Sequence, residues 1–307
     1  MYRTDESGVS PIVQNMDDRG QMNLQSAVSR YLSARHVELS PDTRKGYRLV
    51  LSSFTRVVGP QFPVHKLAPR HIEKWMATQT CSPNSLAGYL SKIRHFTRWL
   101  VNQRLLKHDP CSVIRGPQRP RSLPRELDAL DVTKILKSCP DSRAELIVSL
   151  MVMEGLRCIE VATREMKDVD FGERLLFVKG KGGHERYVPV SDDTMAALRA
   201  YLTDYPAGAG PMIRSYSDPT KPISRKYISI MVKGIMADAG VKEFRYDGKS
   251  AHALRHTMAG AMLDEGADIR DVQEALGHAS LSATVIYTKR RAATGRLREV
   301  MGRRSYR

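Results

Sequence analysis

Apolar residues first fall into a helical rhythm at Leu24. In NLQSAVSRYLSARHV, the side chains of Leu24, Ala27, Val28, Tyr31 and Leu32 share one face. The next segment, SPDTRKGYRLVLSSFTRVV, opens with Ser40-Pro41, a cap residue followed by proline at the first helical position. APRHIEKWMATQ starts in the same way, and SPNSLAGYLSKIRHFTRWLVNQRLL does so again. Four helices with short connections predict a compact bundle ending near Leu106. Arg94, Arg98 and Arg104 stand off the apolar face of the last helix, where they can meet solvent or phosphate. Residues 1–21 have no such rhythm and read as a flexible leader.

The pattern then breaks. DPCSVIRGPQRPRSLPRE carries prolines at 110, 117, 120 and 124 with four arginines, and reads as an extended interdomain linker over 110–126. Helical spacing resumes in LDALDVTKILKSC, and AELIVSLMVMEG predicts a central buried helix ended by Gly155. RLLFVKGKGGHERYVPVS alternates as two strands joined by a glycine-rich turn. From DDTMAALRAYLTDY onward the pattern is again helical. The expected fold class is mainly α with a small antiparallel β-sheet, an α+β second domain. The domains are a helical one at 22–109, a second at 127–287 and a basic tail at 288–307.

Composition narrows the class. At 307 residues, 41% hydrophobic and 27% charged, the chain reads as a soluble globular protein with room for two domains. Its longest notable apolar stretch, LIVSLMVM, is too short to span a bilayer, and the N-terminus lacks the apolar core of a signal peptide. A cytoplasmic protein with no membrane partner is expected. Four scattered cysteines, without a CxxC pair, suggest neither a zinc site nor a disulfide framework.

The net charge of +16 is unevenly placed. Residues 1–115 hold 17 Lys+Arg against 8 acids, residues 116–287 hold 24 against 24, and the last 20 hold 8 against 1. A solubilising surface is the bland explanation; a polyanion gripped by the first domain and the tail fits the unevenness better. Nucleic acid is the expected partner.

Five stretches carry residues with chemical potential. In EGLRCIEVATRE, Arg157 follows the end of a buried helix. It can pair with Glu160 three residues on, or present a fixed fork to phosphate. Lys181 lies at the tip of the VKGKGGHERYVPV hairpin, which has neither the spacing nor the following helix of a P-loop. In SAHALRHTMAGAMLDEG, Ser250 can cap a helix that carries His252 and Arg255 on one face. His256 completes an HxxxH pair, a weak metal signal without a third ligand, and a histidine bonded to backbone is the plainer reading. His278 falls in a turn after Gly277, and Tyr287 lies nine residues beyond it. Together these groups suit attack on a phosphodiester without a metal. Arginines neutralise the non-bridging oxygens, lysine protonates a departing 5′ oxygen, and a tyrosine of ordinary pKa about 10 needs neighbouring cations or a base to react. No cofactor and no metal are expected.

Through EGLRCIE, GKGGHERYVPV, HALRH and LGHASLSATVIYT the second domain resembles the tyrosine recombinase, or phage integrase, family, in the simple two-domain form similar to Xer-like recombinases. The helical first domain is similar to that family's four-helix, SAM-like core-binding domain. The resemblance implies that Arg157 and Arg255 bind the scissile phosphate and that Lys181 is the general acid. It implies that His252 and His278 assist proton transfer and positioning, and that Glu160 orients its neighbours. Tyr287 would be the nucleophile, forming a 3′-phosphotyrosyl link. Ala253, His184 and Glu154 depart from the family's usual residues without removing a catalytic group, which bears on substrate preference. The leader is too short for a separate arm-binding domain. The resemblance further implies double-stranded DNA as the partner, at the nucleoid, with a homotetramer on two core sites, a tail that docks on a neighbouring protomer or on DNA, and accessory DNA-bending proteins as helpers. The expected function is integration or excision of a mobile element. Xer-type dimer resolution and a type IB topoisomerase-like activity are the alternatives.

Overall fold

The computed structural model describes residues 22–118, 126–180, 183–206, 208–243 and 249–277. Lys181, His278 and Tyr287 therefore lie outside the described residues, as do the leader and the basic tail.

The chain divides into two compact units, Met1–Arg121 and Ser122–Arg307. The first is built on α1 (Leu24–Ala34), α2 (Pro41–Val58), α3 (Pro69–Ala77) and α4 (Pro83–Asn102). Three of these starts are set by side-chain caps: Asn23, Ser40 and Ser82 accept the N–H groups of Ser26, Thr43 and Ser85. Proline follows each serine cap, where its missing N–H costs nothing. The apolar faces close on an aromatic centre in which Tyr31 meets Tyr47, Phe96 and Trp99 at 5.3–5.8 Å between ring centroids. The core does not stop at Leu106. Cys111 and Ile114 are also buried in it, and Arg94 Nη2 donates to the Ile114 carbonyl at 2.7 Å. The opening of the segment read as an extended linker thus packs on the bundle, because two apolar residues among its prolines find a buried place.

The second unit contains α5 (Ala129–Lys137), α6 (Ser142–Val152), α7 (Cys158–Ala162), α8 (Asp192–Asp204), α9 (Arg225–Asp238), α10 (Ala251–Asp264) and α11 (Ile269–Leu276). It also holds an antiparallel sheet in the order β1 (Val169–Asp170), β2 (Leu175–Lys179) and β3 (Glu185–Pro189). The two-residue β1 was not legible as a strand in the sequence. Helix α6 is buried without a break from Leu146 to Val152, so it forms the spine of this core. In the β2–β3 pair, Leu176 faces Val188 and Val178 faces Arg186. The inner face is otherwise apolar, which makes an arginine there notable. Among the described residues no helix is long and apolar enough to cross a membrane.

Candidate active site

The site is built where α6 ends. Gly155 adopts φ +66°, and a β-carbon there would come within 2.9 Å of Leu276 Cδ2 and 3.0 Å of Met258 Sδ. Glycine is required both by the turn and by this close approach. The turn is held from the other side by Glu154, which is buried and accepts Ser191 N–H at 3.0 Å, Ser191 Oγ at 2.8 Å and Thr194 Oγ1 at 2.9 Å. Burial raises the Glu154 pKa against these hydrogen bonds. Glu154 is a structural tie between the α6–α7 turn and the start of α8.

Two residues later Arg157 occupies the cap position of α7, and Glu160 lies on the first turn. Glu160 is 1% exposed and gathers three guanidinium groups. Arg157 Nη1 reaches Oε1 at 2.8 Å while the Arg157 main-chain N–H donates to Oε2 at 2.9 Å. Arg186 approaches with Nη1 at 3.3 Å and Nη2 at 3.1 Å, and Arg255 Nη1 lies 3.7 Å from Oε2. Burial opposes ionisation of Glu160. The hydrogen bonds from Arg186 and the Arg157 N–H, with the charges of both arginines, outweigh it and hold the carboxyl below its usual range.

Three positive forks around one carboxylate leave an excess of two positive charges. Part of the compensation comes from the C-terminal end of α11, whose dipole presents partial negative charge. Arg255 donates to the carbonyls of Gly155 and Leu276, and Arg186 Nε donates to that of Ala275 at 3.1 Å. Gly277 ends α11 in the left-handed conformation at φ +58°. The positive charge that the described residues gather here is suited to an oxoanion.

Arg157 opens onto a cleft of about 720 Å³. His252, on the first turn of α10, lines the same cleft, as do Arg225, Lys226 and Lys233 from α9. Burial on its protein side, then the charges of Arg255 and Arg157, lowers the His252 pKa, so its ring is held neutral near pH 7. Its neighbour His256 packs edge to face at 6.0 Å between centroids and is lowered by burial as well. Ser250 sits at the cap position of α10, but its side chain makes no capping bond; its carbonyl takes the Ala253 N–H instead. Among the described residues no group of three or more His, Cys, Asp or Glu could hold a metal ion.

Arg157, Glu160, His252 and Arg255 are thus brought together. Arg255 is buried and its fork is engaged by main-chain carbonyls, whereas Arg157 and His252 meet the cleft. The hairpin approaches the same centre on the near side of Lys181: a β-carbon on Gly180 would lie 3.4 Å from Glu160 Oε1. Arg186 is the residue that reading the sequence missed. Strand alternation held the signal, since Arg186 shares its face with Val188 two residues on.

Comparison with known proteins gives the arrangement a context. The model of the Phage integrase family matches residues 125–294. Tyrosine recombinase XerC of Xanthomonas campestris pv. campestris is 30% identical over 277 residues, covering 86% of this chain and 84% of that protein. Among solved structures, XerH site-specific recombinase bound to its palindromic difH substrate superposes with a TM-score of 0.75 at 19% identity, covering 91% of this chain and 95% of the other. A lambda integrase tetramer bound to a Holliday junction does so with a TM-score of 0.72 at 18% identity, covering 90% and 83%.

Proposed function

Because this chain belongs to the phage integrase family of tyrosine recombinases, and is by that membership a DNA strand transferase, we propose that it cleaves and rejoins DNA at the cleft formed by Arg157 and His252. The observation that carries this reading is the buried Glu160 carboxylate with three arginines around it, an excess of positive charge opening onto a basic cleft. Such a centre is built for a phosphodiester whose non-bridging oxygens gain charge in the transition state.

In the proposed reaction the Tyr287 hydroxyl loses its proton and attacks the phosphorus. The bond to the 5′ oxygen breaks, Lys181 protonates that oxygen, and the 3′-phosphoryl group is left on Tyr287. A 5′-hydroxyl from the partner strand then attacks, the new phosphodiester forms, and the tyrosine is released. Arg157 neutralises the phosphate, and Arg255 orders the walls of the site while adding positive charge behind it. Neutral His252, together with His278, takes up the proton that Tyr287 loses, returns it when the tyrosine is released, and hydrogen-bonds the phosphoryl oxygens. No metal or cofactor takes part. Arg225, Lys226 and Lys233 extend the positive surface along α9 and follow the duplex backbone.

The protein works in the cytoplasm, on nucleoid DNA, as four protomers on two sites. The basic tail contacts a neighbouring protomer or DNA, and DNA-bending proteins help assembly. The setting is integration or excision of a mobile element. The relative named a tyrosine recombinase, matched over 86% of this chain, favours recombination over a topoisomerase-like activity, and Xer-type dimer resolution is the second setting. The test is a nicked duplex that loses its short 5′-hydroxyl strand on cleavage and so traps the adduct. Wild-type protein accumulates a covalent complex resistant to denaturant, and Tyr287→Phe binds the duplex equally well but forms none. An adduct with Tyr287→Phe refutes the assignment.

A further inference from the structure

Arg186 has the geometry of a link rather than of a ligand. It does not line the cleft, and its side chain is only 10% exposed. Two of its nitrogens hold Glu160, and the third, Nε, holds the Ala275 carbonyl in the last turn of α11. Both neighbouring glycines are shaped to it. A β-carbon on Gly277 would lie 2.8 Å from Arg186 Nη1, and one on Gly180 would lie 3.6 Å from the same atom. Gly180 precedes Lys181, and Gly277 precedes His278.

A further arginine on Glu160 is not needed for charge balance, since Arg157 already pairs with that carboxylate. Taking a further cation out of water is costly unless its geometry is fully used. Here the whole fork is used, and it spans three elements: β3 that carries it, α7 that holds Glu160, and α11 that ends at Gly277.

Resting on the reading of this cleft as the cleavage site, we propose that Arg186 is a positioning residue that couples the β2–β3 hairpin to the end of α11. It thereby sets the register between the hairpin that bears Lys181 and the chain that continues to His278 and Tyr287. General acid and nucleophile act on opposite sides of one phosphorus, so an error of about 1 Å between their supports costs on the order of a hundredfold in rate. Lysine at 186 retains the charge beside Glu160 but cannot reach Glu160 with two nitrogens and Ala275 with a third.

The experiment uses the full chain on the nicked trapping duplex, with single-turnover cleavage, duplex affinity and thermal unfolding measured for wild type, Arg186→Lys and Arg186→Ala. Arg186→Lys binds the duplex with wild-type affinity and cleaves on the order of a hundredfold more slowly at saturating protein. Millimolar guanidinium restores part of the rate to Arg186→Ala and none to Tyr287→Phe. Wild-type cleavage by Arg186→Lys overturns the coupling, and so does a loss of rate that only follows a loss of folded or DNA-bound protein. If wild-type protein itself forms no adduct, the reading of the cleft fails and the coupling with it.

Discussion

Glu160 holds Arg157 twice, taking its guanidinium at 2.8 Å on one oxygen and its main-chain N–H at 2.9 Å on the other. One buried carboxylate therefore fixes both the backbone and the fork of the arginine that meets the cleft. The pair that the i,i+3 spacing suggested is real, and it does not compete with a role at phosphate: it leaves the rest of the fork pre-set toward the cleft.

Because the Glu160 pKa is lowered in the folded chain, folding favours its ionised form. The stabilisation is present above the unfolded carboxyl value, about 4.3, and is lost as pH falls through the lowered native value. Glu160→Gln, which leaves three arginines without their anion, is expected to cost about 3 kcal/mol at pH 7. Thermal unfolding at pH 7 and at pH 3 checks this: the gap between wild type and variant should shrink at the lower pH, and sulfate should stabilise the variant more than the wild type.

His252 titrates in the opposite sense to a salt-bridged histidine. Its native pKa is lowered, so stability is full above the unfolded value of about 6.5 and declines as pH falls toward the native one. Duplex DNA brings phosphate to the ring and should raise the pKa. An NMR titration of His252 with and without duplex measures both shifts, free protein below 6.5 and the complex higher.

Gly155 and Gly240 share φ +66°, but only Gly155 is crowded, by Leu276 and Met258; nothing lies within 4 Å of a β-carbon at Gly240. Gly240→Ala isolates the backbone strain, about 1 kcal/mol. Gly155→Ala adds overpacking of about 1–3 kcal/mol, and it moves the turn that carries Arg157. Denaturant unfolding should rank the two variants in that order, with a cleavage defect in Gly155→Ala alone.

Lys226 and Lys233 test the α9 surface. Replacing either with alanine should weaken duplex binding uniformly across sequences and reduce the magnitude of the log–log salt slope by about 1. Fluorescence anisotropy over a series of salt concentrations reads both effects.

Much of this was legible before any coordinates. The starts of α2 and α4 could be read because Ser-Pro caps are local chemistry, and α6 because its run from Leu146 to Val152 is almost wholly apolar. Arg157, Glu160, His252 and Arg255 were named from local spacing and family likeness. Arg186 escaped because its role depends on partners 26 and 89 residues away. Ser250 was read as a side-chain cap from its position alone, and its main-chain carbonyl serves instead. Cys111 and Ile114 were hidden by the prolines around them: composition suggested an extended path, whereas burial of two apolar side chains decided the outcome.

The central claim is that a positively charged centre around Glu160 serves a tyrosine that becomes covalently joined to DNA. Protease digestion of the trapped wild-type complex, followed by mass spectrometry of the peptide that retains nucleotide, tests it most directly. The account predicts one modified tryptic peptide, DVQEALGHASLSATVIYTK, with Tyr287 joined to a 3′-phosphoryl end and a free 5′-hydroxyl on the released strand. Nucleotide on any other residue, a 5′-phosphoryl linkage, or cleavage without a protein adduct would contradict it.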